Sequence, residues 1–431
     1  MTYPAAIAYL YGLQKHGIKL GLETMRSLAR AIGNPERRLR VLHIGGTNGK
    51  GSTAAMAAAM LEAAGLRVGL YTSPHLVDFR ERIKVNGRMI GEDELAELVD
   101  MVRSTVPPSI APTFFEVTTA VAFRYFADSS VDVAVVEVGL GGRFDATNVV
   151  RPIACAITTI GLDHEEYLGH TEEAIAFEKA GIIKPGVPIV AGRIGAGAGA
   201  VIERVAAQRE APLWSFGREF FVTEDEPDRF TYRGPRWAMD GLGCRLVGRH
   251  QLDNAACAIA LLEAAGRSGL SIGEDAVRQG LQSVAWEGRL EMLDEEPPVL
   301  LDGAHNPAAA AALARYLDEF HAAHRDSRVI LVWGMMRDKD RRAFIAPLLP
   351  FVSEIVLTQA GLARSAVVED LRRTLEGWSN PVWEEPCPAE ALRLAKQRAA
   401  ARDLICVTGS LMLLGDVKAA LRGGRPSVLR G

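Results

Sequence analysis

What this chain lacks narrows its function first. Its five cysteines, Cys155, Cys244, Cys257, Cys387 and Cys406, are odd in number, scattered and never spaced Cys-x-x-Cys. That pattern suggests neither a disulfide framework nor a zinc site and fits a reducing cytoplasmic setting. No segment is a convincing membrane span: the longest apolar helix expected, 53–64, is alanine-rich, interrupted by Glu62 and too short to cross a bilayer. The amino-terminal stretch lacks the basic start, apolar core and small-residue cleavage site of a secretory signal. Charge of one sign is also missing. Forty-nine basic against fifty-three acidic side chains leave a net charge of −4, which gives no general electrostatic reason to bind nucleic acid or an anionic membrane. Any anionic ligand must be held by local groups. No sustained repeat, low-complexity tract or coiled-coil heptad is present.

The 431 residues that remain to be explained exceed one ordinary core, so two domains are expected. The most informative stretch is 41–53, VLHIGGTNGKGST, where strand-forming residues break into glycines and then into an alanine-rich helix. Gly45, Gly46, Gly49 and Gly51 permit the positive φ and close backbone approach that a polyphosphate requires. Lys50 supplies a point charge, and Ser52 or Thr53 a hydroxyl for a magnesium ion. The helix expected to begin there aims its unpaired N–H groups and positive dipole end at the anion. The match to GxxxxGK[ST] is imperfect, because Ile44 stands at the first glycine and Gly51 separates the lysine from the hydroxyl residue. The plainer alternative is a glycine-rich turn with a solvated lysine.

Several later groups fall where strands end, which is where ligands of open α/β sheets bind. A strand at 67–71 completes a βαβ unit and leads into TSPHL, placing Ser73 and His75 near the phosphate loop or, equally, in a surface turn. The buried strand 131–138 carries Glu137 at its carboxyl end. A carboxylate among valines needs a cation, either a metal or an ion-pair partner, and metal is the better reading. The strand 153–160 ends in GLDH, so His164 lies at a neighbouring junction; histidine would be unusual for magnesium, which leaves manganese open. Phe115, at the entrance of a helix, reads as core or as a flat surface for a heterocycle. Lys179, in the last turn of a helix capped by Thr171, suits the helix dipole. Asn254 reads as a cap for a helix over 255–265, or as a reader of an adenine edge. Beyond the polar EEPP stretch at 295–298 the α/β rhythm restarts. There DGAHNP puts Asp302 and His305 on a loop opening onto a helix, either a capped turn or the second jaw of a cleft.

In order along the chain, GTNGKGST, TSPHL with Glu81 and Arg82, EVGLGGRFDATN, GLDH, EKAGIIKPG, GRHQLDN, WEGRLE, DGAHNP and TGSL resemble the blocks of the folylpolyglutamate synthase and dihydrofolate synthase family, within the Mur ligase superfamily. Peptidoglycan Mur ligases share the loop but carry a UDP-binding domain ahead of it, where this sequence has a short leader. The resemblance implies a large amino-terminal ATPase domain of the phosphate-loop type with a mainly parallel sheet, 1–288, and a smaller Rossmann-like α/β domain, 289–431. It implies an ATP-dependent ligase that adds L-glutamate to dihydropteroate, to reduced folates, or to both, through an acyl phosphate, with a monofunctional folylpolyglutamate synthase or another acid–amino-acid ligase as alternatives. A nucleotide-binding switch without catalysis is the rival of a different class.

By the same resemblance, Gly46, Thr47, Asn48, Gly49, Lys50, Gly51, Ser52 and Thr53 would bind ATP together with Asn254, Arg289 and Asp302. Ser52, Ser73, Glu137 and His164 would hold magnesium. Lys179 would be carbamylated, which replaces the helix-dipole reading, and Lys50, Lys179 and His305 would be catalytic. Thr113, Phe115, Asp145 and Ala146 would contact the pterin, and His305 and Ser410 the incoming glutamate. The expected molecule is a cytoplasmic monomer acting on small substrates, with no nucleic-acid or membrane partner.

Overall fold

The computed structural model describes residues 1–17, 19, 21–107, 110–226 and 229–424, so the last seven residues of the expected second unit lie outside the described residues. Among the described residues no helix is long and apolar enough to cross a membrane.

Eight strands form the first sheet: β1 (Val41–Gly45), β2 (Val68–Tyr71), β3 (Ile83–Val85), β4 (Arg88–Met89), β5 (Val133–Glu137), β6 (Ala154–Ile157), β7 (Ile189–Ala191) and β8 (Leu213–Ser215). Their order is β4-β3-β2-β5-β1-β6-β7-β8, parallel from β2 to β8, with β3 and β4 added as an antiparallel ribbon. The strands of the parallel part are wholly apolar or nearly so because helices cover both faces. On one face lie the helices Lys50–Ala63, Arg249–Ala265 and Glu274–Ser283, together with a three-stranded sheet of β9 (Phe221–Glu226), β10 (Arg229–Arg233) and β11 (Ala238–Leu242). On the other lie the amino-terminal helices and Glu92–Thr105 and Phe114–Asp128.

The alanine run of the phosphate-loop helix has a packing reason. Ala54, Ala55, Ala57 and Ala58 are all buried, and Gly280 of the neighbouring helix sits so close to the Met60 backbone that a Cβ there would overlap it. Small side chains let these backbones approach, and larger ones would overpack the interface at a cost of about 1–3 kcal/mol each.

The second sheet contains β12 (Glu291–Leu293), β13 (Val299–Asp302), β14 (Val329–Trp333), β15 (Glu354–Leu357), β16 (Val382–Glu384) and β17 (Leu404–Thr408), in the order β12-β13-β17-β14-β15-β16. It is parallel except for β12 at one edge. The sequence reading missed β12 and β16, short edge strands with too few residues for an alternation to show.

Two helix starts differ from expectation, and both bear on function. The phosphate-loop helix begins at Lys50, not at Ser52 or Thr53, because Gly49 takes φ +83° and turns the chain into the helix two or three residues earlier. The helix expected from 255 begins at Arg249, behind Gly248 at φ +102°. Asn254 is therefore inside that helix, and the capping role is excluded.

Candidate active site

The site lies where the carboxyl ends of β5, β1 and β6 meet. Parallel pairing sets Ile44 beside Glu137 and Gly45 beside Ile157, so the three strands stop level and their loops emerge together. A cavity of about 440 Å³ opens there. Gly46 to Ser52 line it, with Lys50 held by a hydrogen bond from Nζ to the Thr47 carbonyl, 3.1 Å. Gly46 has φ +143° and Gly49 φ +83°. A side chain at Gly46 would strike the Thr158 hydroxyl, and one at Gly49 the Asn254 amide oxygen. Asn254 is buried, is anchored by donation to Gln251 Oε1 at 2.9 Å, and lies directly against the loop. Thr53 is a correction. As the fourth residue of the helix it is fully buried, its N–H bonds the Gly49 carbonyl, and it does not line the cavity.

Glu137, Lys179, Arg289 and Asp302 line the same cavity. Glu137 is buried, and its Oε2 accepts from the Ser73 backbone N–H at 3.0 Å. Burial pushes its carboxyl above the usual range, opposed chiefly by the positive charge of Lys50. Lys179 is also buried and donates to the Gly46 carbonyl at 2.8 Å. Burial, reinforced by Lys50, lowers its ammonium to about 7. Arg289 stands between the sheets, attracted by Asp302 on one and Glu137 on the other, and burial lowers its guanidinium. Asp302 fixes the interdomain turn through the N–H groups of Leu290 and Ala304, at 2.9 and 3.0 Å.

As a metal site, Ser52, Ser73, Glu137 and His164 bring one carboxylate, two hydroxyls and an imidazole to one region. Among the described residues no three histidine, cysteine or acidic side chains converge to hold an ion alone. Magnesium is commonly bound by one or two carboxylates plus phosphate oxygens and water. The set therefore fits an ion shared with a polyphosphate. His164 sits at the rim with φ +52° and a side chain 40% exposed. Desolvation pulls it down to about 4 against the charge of Asp163, so the imidazole is neutral at physiological pH.

A second cavity, about 890 Å³, adjoins the first and shares Ser73, Gly139 to Gly141, His164 and His305 with it. Thr113, Phe115, Asp145, Ala146 and Ser410 line this larger space. Several have structural duties as well. Thr113 caps the helix Phe114–Asp128 by accepting from Glu116 N–H at 3.2 Å. Asp145 accepts from the N–H groups of Gly139, Leu140 and Thr147 at 2.9–3.0 Å and from the Thr147 hydroxyl, so it shapes the glycine loop. Phe115 is half-buried and presses on Gly139, where no side chain would fit. Ser410 caps the helix Leu411–Leu421 by accepting from Met412 N–H. His305 donates from Nδ1 to the Gly303 carbonyl at 2.8 Å, leaving Nε2 3.7 Å from Asp163.

Three participants carried no assigned role in the sequence reading. Asp163, in the GLDH block, forms an ion pair with Lys339 of the second domain at 2.5 Å. Lys339 follows β14 at the carboxyl edge, so the rule that located His164 would have found it too. His250, at the start of the helix bearing Asn254, lines the nucleotide-sized cavity.

The family models match in the same two halves: the Mur ligase middle domain at residues 44–262 and the Mur ligase glutamate ligase domain at 288–411. The chain is 37% identical over 432 residues to the dihydrofolate synthase/folylpolyglutamate synthase of Bacillus subtilis, covering 98% of this chain and 99% of that one. Escherichia coli FolC in complex with DHPP and ADP superposes with a TM-score of 0.90 at 33% identity, over 98% of both chains. The bifunctional folylpolyglutamate synthase/dihydrofolate synthase of Yersinia pestis complexed with AMPPNP and Mn ion gives 0.88 at 33% identity, again over 98% of each. With both halves matched and the whole length covered, this chain belongs to the dihydrofolate synthase/folylpolyglutamate synthase family of Mur ligases.

Proposed function

We propose that this protein is an ATP-dependent ligase that adds L-glutamate to dihydropteroate and to reduced folates through an acyl phosphate, releasing ADP and phosphate. The observation that carries this reading is the junction of the two cavities at Ser73, the glycine loop, His164 and His305. The two spaces share a wall, so a phosphoryl group held in the smaller one lies next to an acceptor seated in the larger. Relatives crystallised with ADP and DHPP, and with AMPPNP and Mn, support a nucleotide in the first space and an acceptor in the second.

In this reading Gly46 to Ser52 cradle the β- and γ-phosphates, Asn254 and His250 meet the nucleoside, and Lys50 and Arg289 balance the charge of the transferred group. Glu137, Ser52, Ser73 and His164 would hold magnesium, which, when bound, neutralises phosphate charge. Ser73 and the glycine loop place the acceptor carboxylate in line with the terminal phosphate. The glutamate amine then attacks the acyl carbon, phosphate leaves, and His305 Nε2 takes the amine proton; Ser410 lies on the same side of the cavity. Both domains close off water, which would otherwise hydrolyse the acyl phosphate. Lys179, buried with an amine near neutrality, would be carbamylated, exchanging a cation beside Lys50 for an anion. The domain boundary at 288/289, a monomeric state, a cytoplasmic setting and the absence of nucleic-acid and membrane partners complete the proposal.

Incorporation of isotope-labelled glutamate tests it, with dihydropteroate and tetrahydrofolate as separate acceptors. Labelled amide with both is expected. ATP binding without amide would leave a nucleotide switch, and turnover only with a UDP-sugar peptide would leave another Mur-type ligase.

A further inference from the structure

Arg82 is buried, 3% exposed, and it lines the larger cavity but not the smaller. Its guanidinium lies over the rings of Phe114 and Phe79, 5.2 and 5.8 Å from their centroids. The Nε donates to His75 Nδ1 at 2.8 Å, and His75 Nε2 in turn meets the Tyr11 hydroxyl at 3.2 Å. Glu81, the adjacent acid, is occupied elsewhere. Its carboxylate accepts from the backbone N–H groups of Leu76, Val77 and Asp78 at 2.7–2.9 Å, fixing the loop that carries His75.

Among the described residues no carboxylate lies within ion-pairing distance of Arg82. The acids of the cavity wall are engaged elsewhere: Asp145 by the N–H groups of Gly139 and Leu140, Glu116 by that of Thr113 at 2.7 Å, and Glu178 by Arg143 at 3.6 Å. Burial lowers the guanidinium from its usual value, yet an arginine stays charged. A buried cation is costly unless paired, and the aromatic rings, one imidazole and the more distant charges of Glu137 and Glu81 offset only part of that cost. The fork is aimed by a defined relay and faces a space large enough for an acceptor molecule.

We propose that Arg82 binds an anionic group of the acceptor other than the carboxylate being activated: the α-carboxylate of a glutamyl tail. The activated carboxylate must reach the junction of the cavities at Ser73 and the glycine loop, beside the smaller space that Lys50 and the phosphate loop line, whereas Arg82 lines the larger cavity alone. This inference rests on the ligase reading. It makes Arg82 a specificity residue for glutamylated acceptors, which carry that second carboxylate, whereas a pteroate does not.

The test compares two acceptors, tetrahydrofolate and its α-amide, in wild type, Arg82→Gln and Arg82→Lys, by glutamate incorporation. Wild type should prefer the acid in KM by roughly ten- to a hundredfold, the range expected for a charge-assisted pair. Arg82→Gln should raise KM for the acid and collapse the acid-to-amide ratio to about one, with KM for ATP little changed; Arg82→Lys should restore part of the ratio. A purely structural role would weaken both acceptors alike, and that result overturns the proposal. So does a wild-type ratio near one, a measurement that needs no variant to fold. Failure of wild type to incorporate glutamate into any acceptor would instead strike the ligase reading itself.

Discussion

Asn48, in the phosphate loop, and Asn306, at the start of the helix Pro307–Ala323, exchange two amide hydrogen bonds of 2.9 and 3.2 Å across the cleft between the sheets. Asn306 Oδ1 also caps its own helix by accepting from Ala309 N–H at 3.0 Å. One side chain therefore ties the second domain to the loop that faces the nucleotide. Asn306→Ala should lose about 1 kcal/mol from the cap alone, and more if the reciprocal pair contributes. A double-mutant cycle with Asn48→Ala, read by thermal unfolding, should show a coupling of about 0.5 kcal/mol or more. Strict additivity would mean that the pair does not join the domains.

Asp163 and Lys339 form the charged counterpart of that amide pair, both mostly buried at the cleft. Asp163→Asn should loosen domain closure, visible as a larger radius of gyration in solution scattering with nucleotide present. It should also lower kcat for glutamate transfer by at least about tenfold, because a wetter cleft hydrolyses the activated acceptor. An unchanged radius together with unchanged kcat would remove the latch from the mechanism.

Gly49 has no tolerance for a side chain: its φ is +83° and the Asn254 amide occupies the space a Cβ would take. Gly49→Ala should cost about 1–2 kcal/mol in stability and abolish nucleotide binding in calorimetry. Adding Asn254→Ala relieves the collision but not the backbone strain, so only part of the stability should return. Normal nucleotide affinity in the single variant would contradict the close packing of loop and helix.

Lys179 sets a pH dependence. Its folded value of about 7 lies below that of a free lysine, so the unfolded chain binds more protons between the two values. With the amine unmodified, stability should accordingly rise as pH climbs above about 7, level off near the free-lysine value of about 10.4, and lose this slope in Lys179→Met. The neutral amine is also the form that captures carbon dioxide. Enzyme depleted of carbon dioxide should recover activity on bicarbonate addition faster at pH 8 than at pH 6, alongside an isotope-labelled carbamate signal absent from Lys179→Ala. An active enzyme without that signal would dismiss the modification.

Lys50→Ala tests the charge on the transferred phosphate. Among the described residues the lysine side chain makes one hydrogen bond, to its own loop, so its removal should leave the melting temperature nearly unchanged. The loss should appear in kcat/KM, on the order of several kcal/mol of transition-state stabilisation. Normal turnover would show that the phosphate is balanced by other groups.

The sequence by itself determined the parallel sheet, the phosphate loop and the family. Glycine spacing and strand-to-loop junctions are local features, and a chain that must place Gly46 and Gly49 at positive φ announces it in one dimension. Glu137 and His164 were legible for the same reason: each sits at a junction that the strand pattern locates. The place of Asn254 inside its helix was not, because that helix begins six residues earlier than its composition suggested, behind a glycine whose conformation only the packed domain reveals. Tertiary structure alone decided that Asp163 answers Lys339, that Asn48 answers Asn306, and that among the described residues no carboxylate comes within ion-pairing distance of Arg82. Partners 176 or 258 residues apart leave no periodic trace in the chain. Whether a buried charge is matched depends on which distant elements the fold brings within a few ångströms of it.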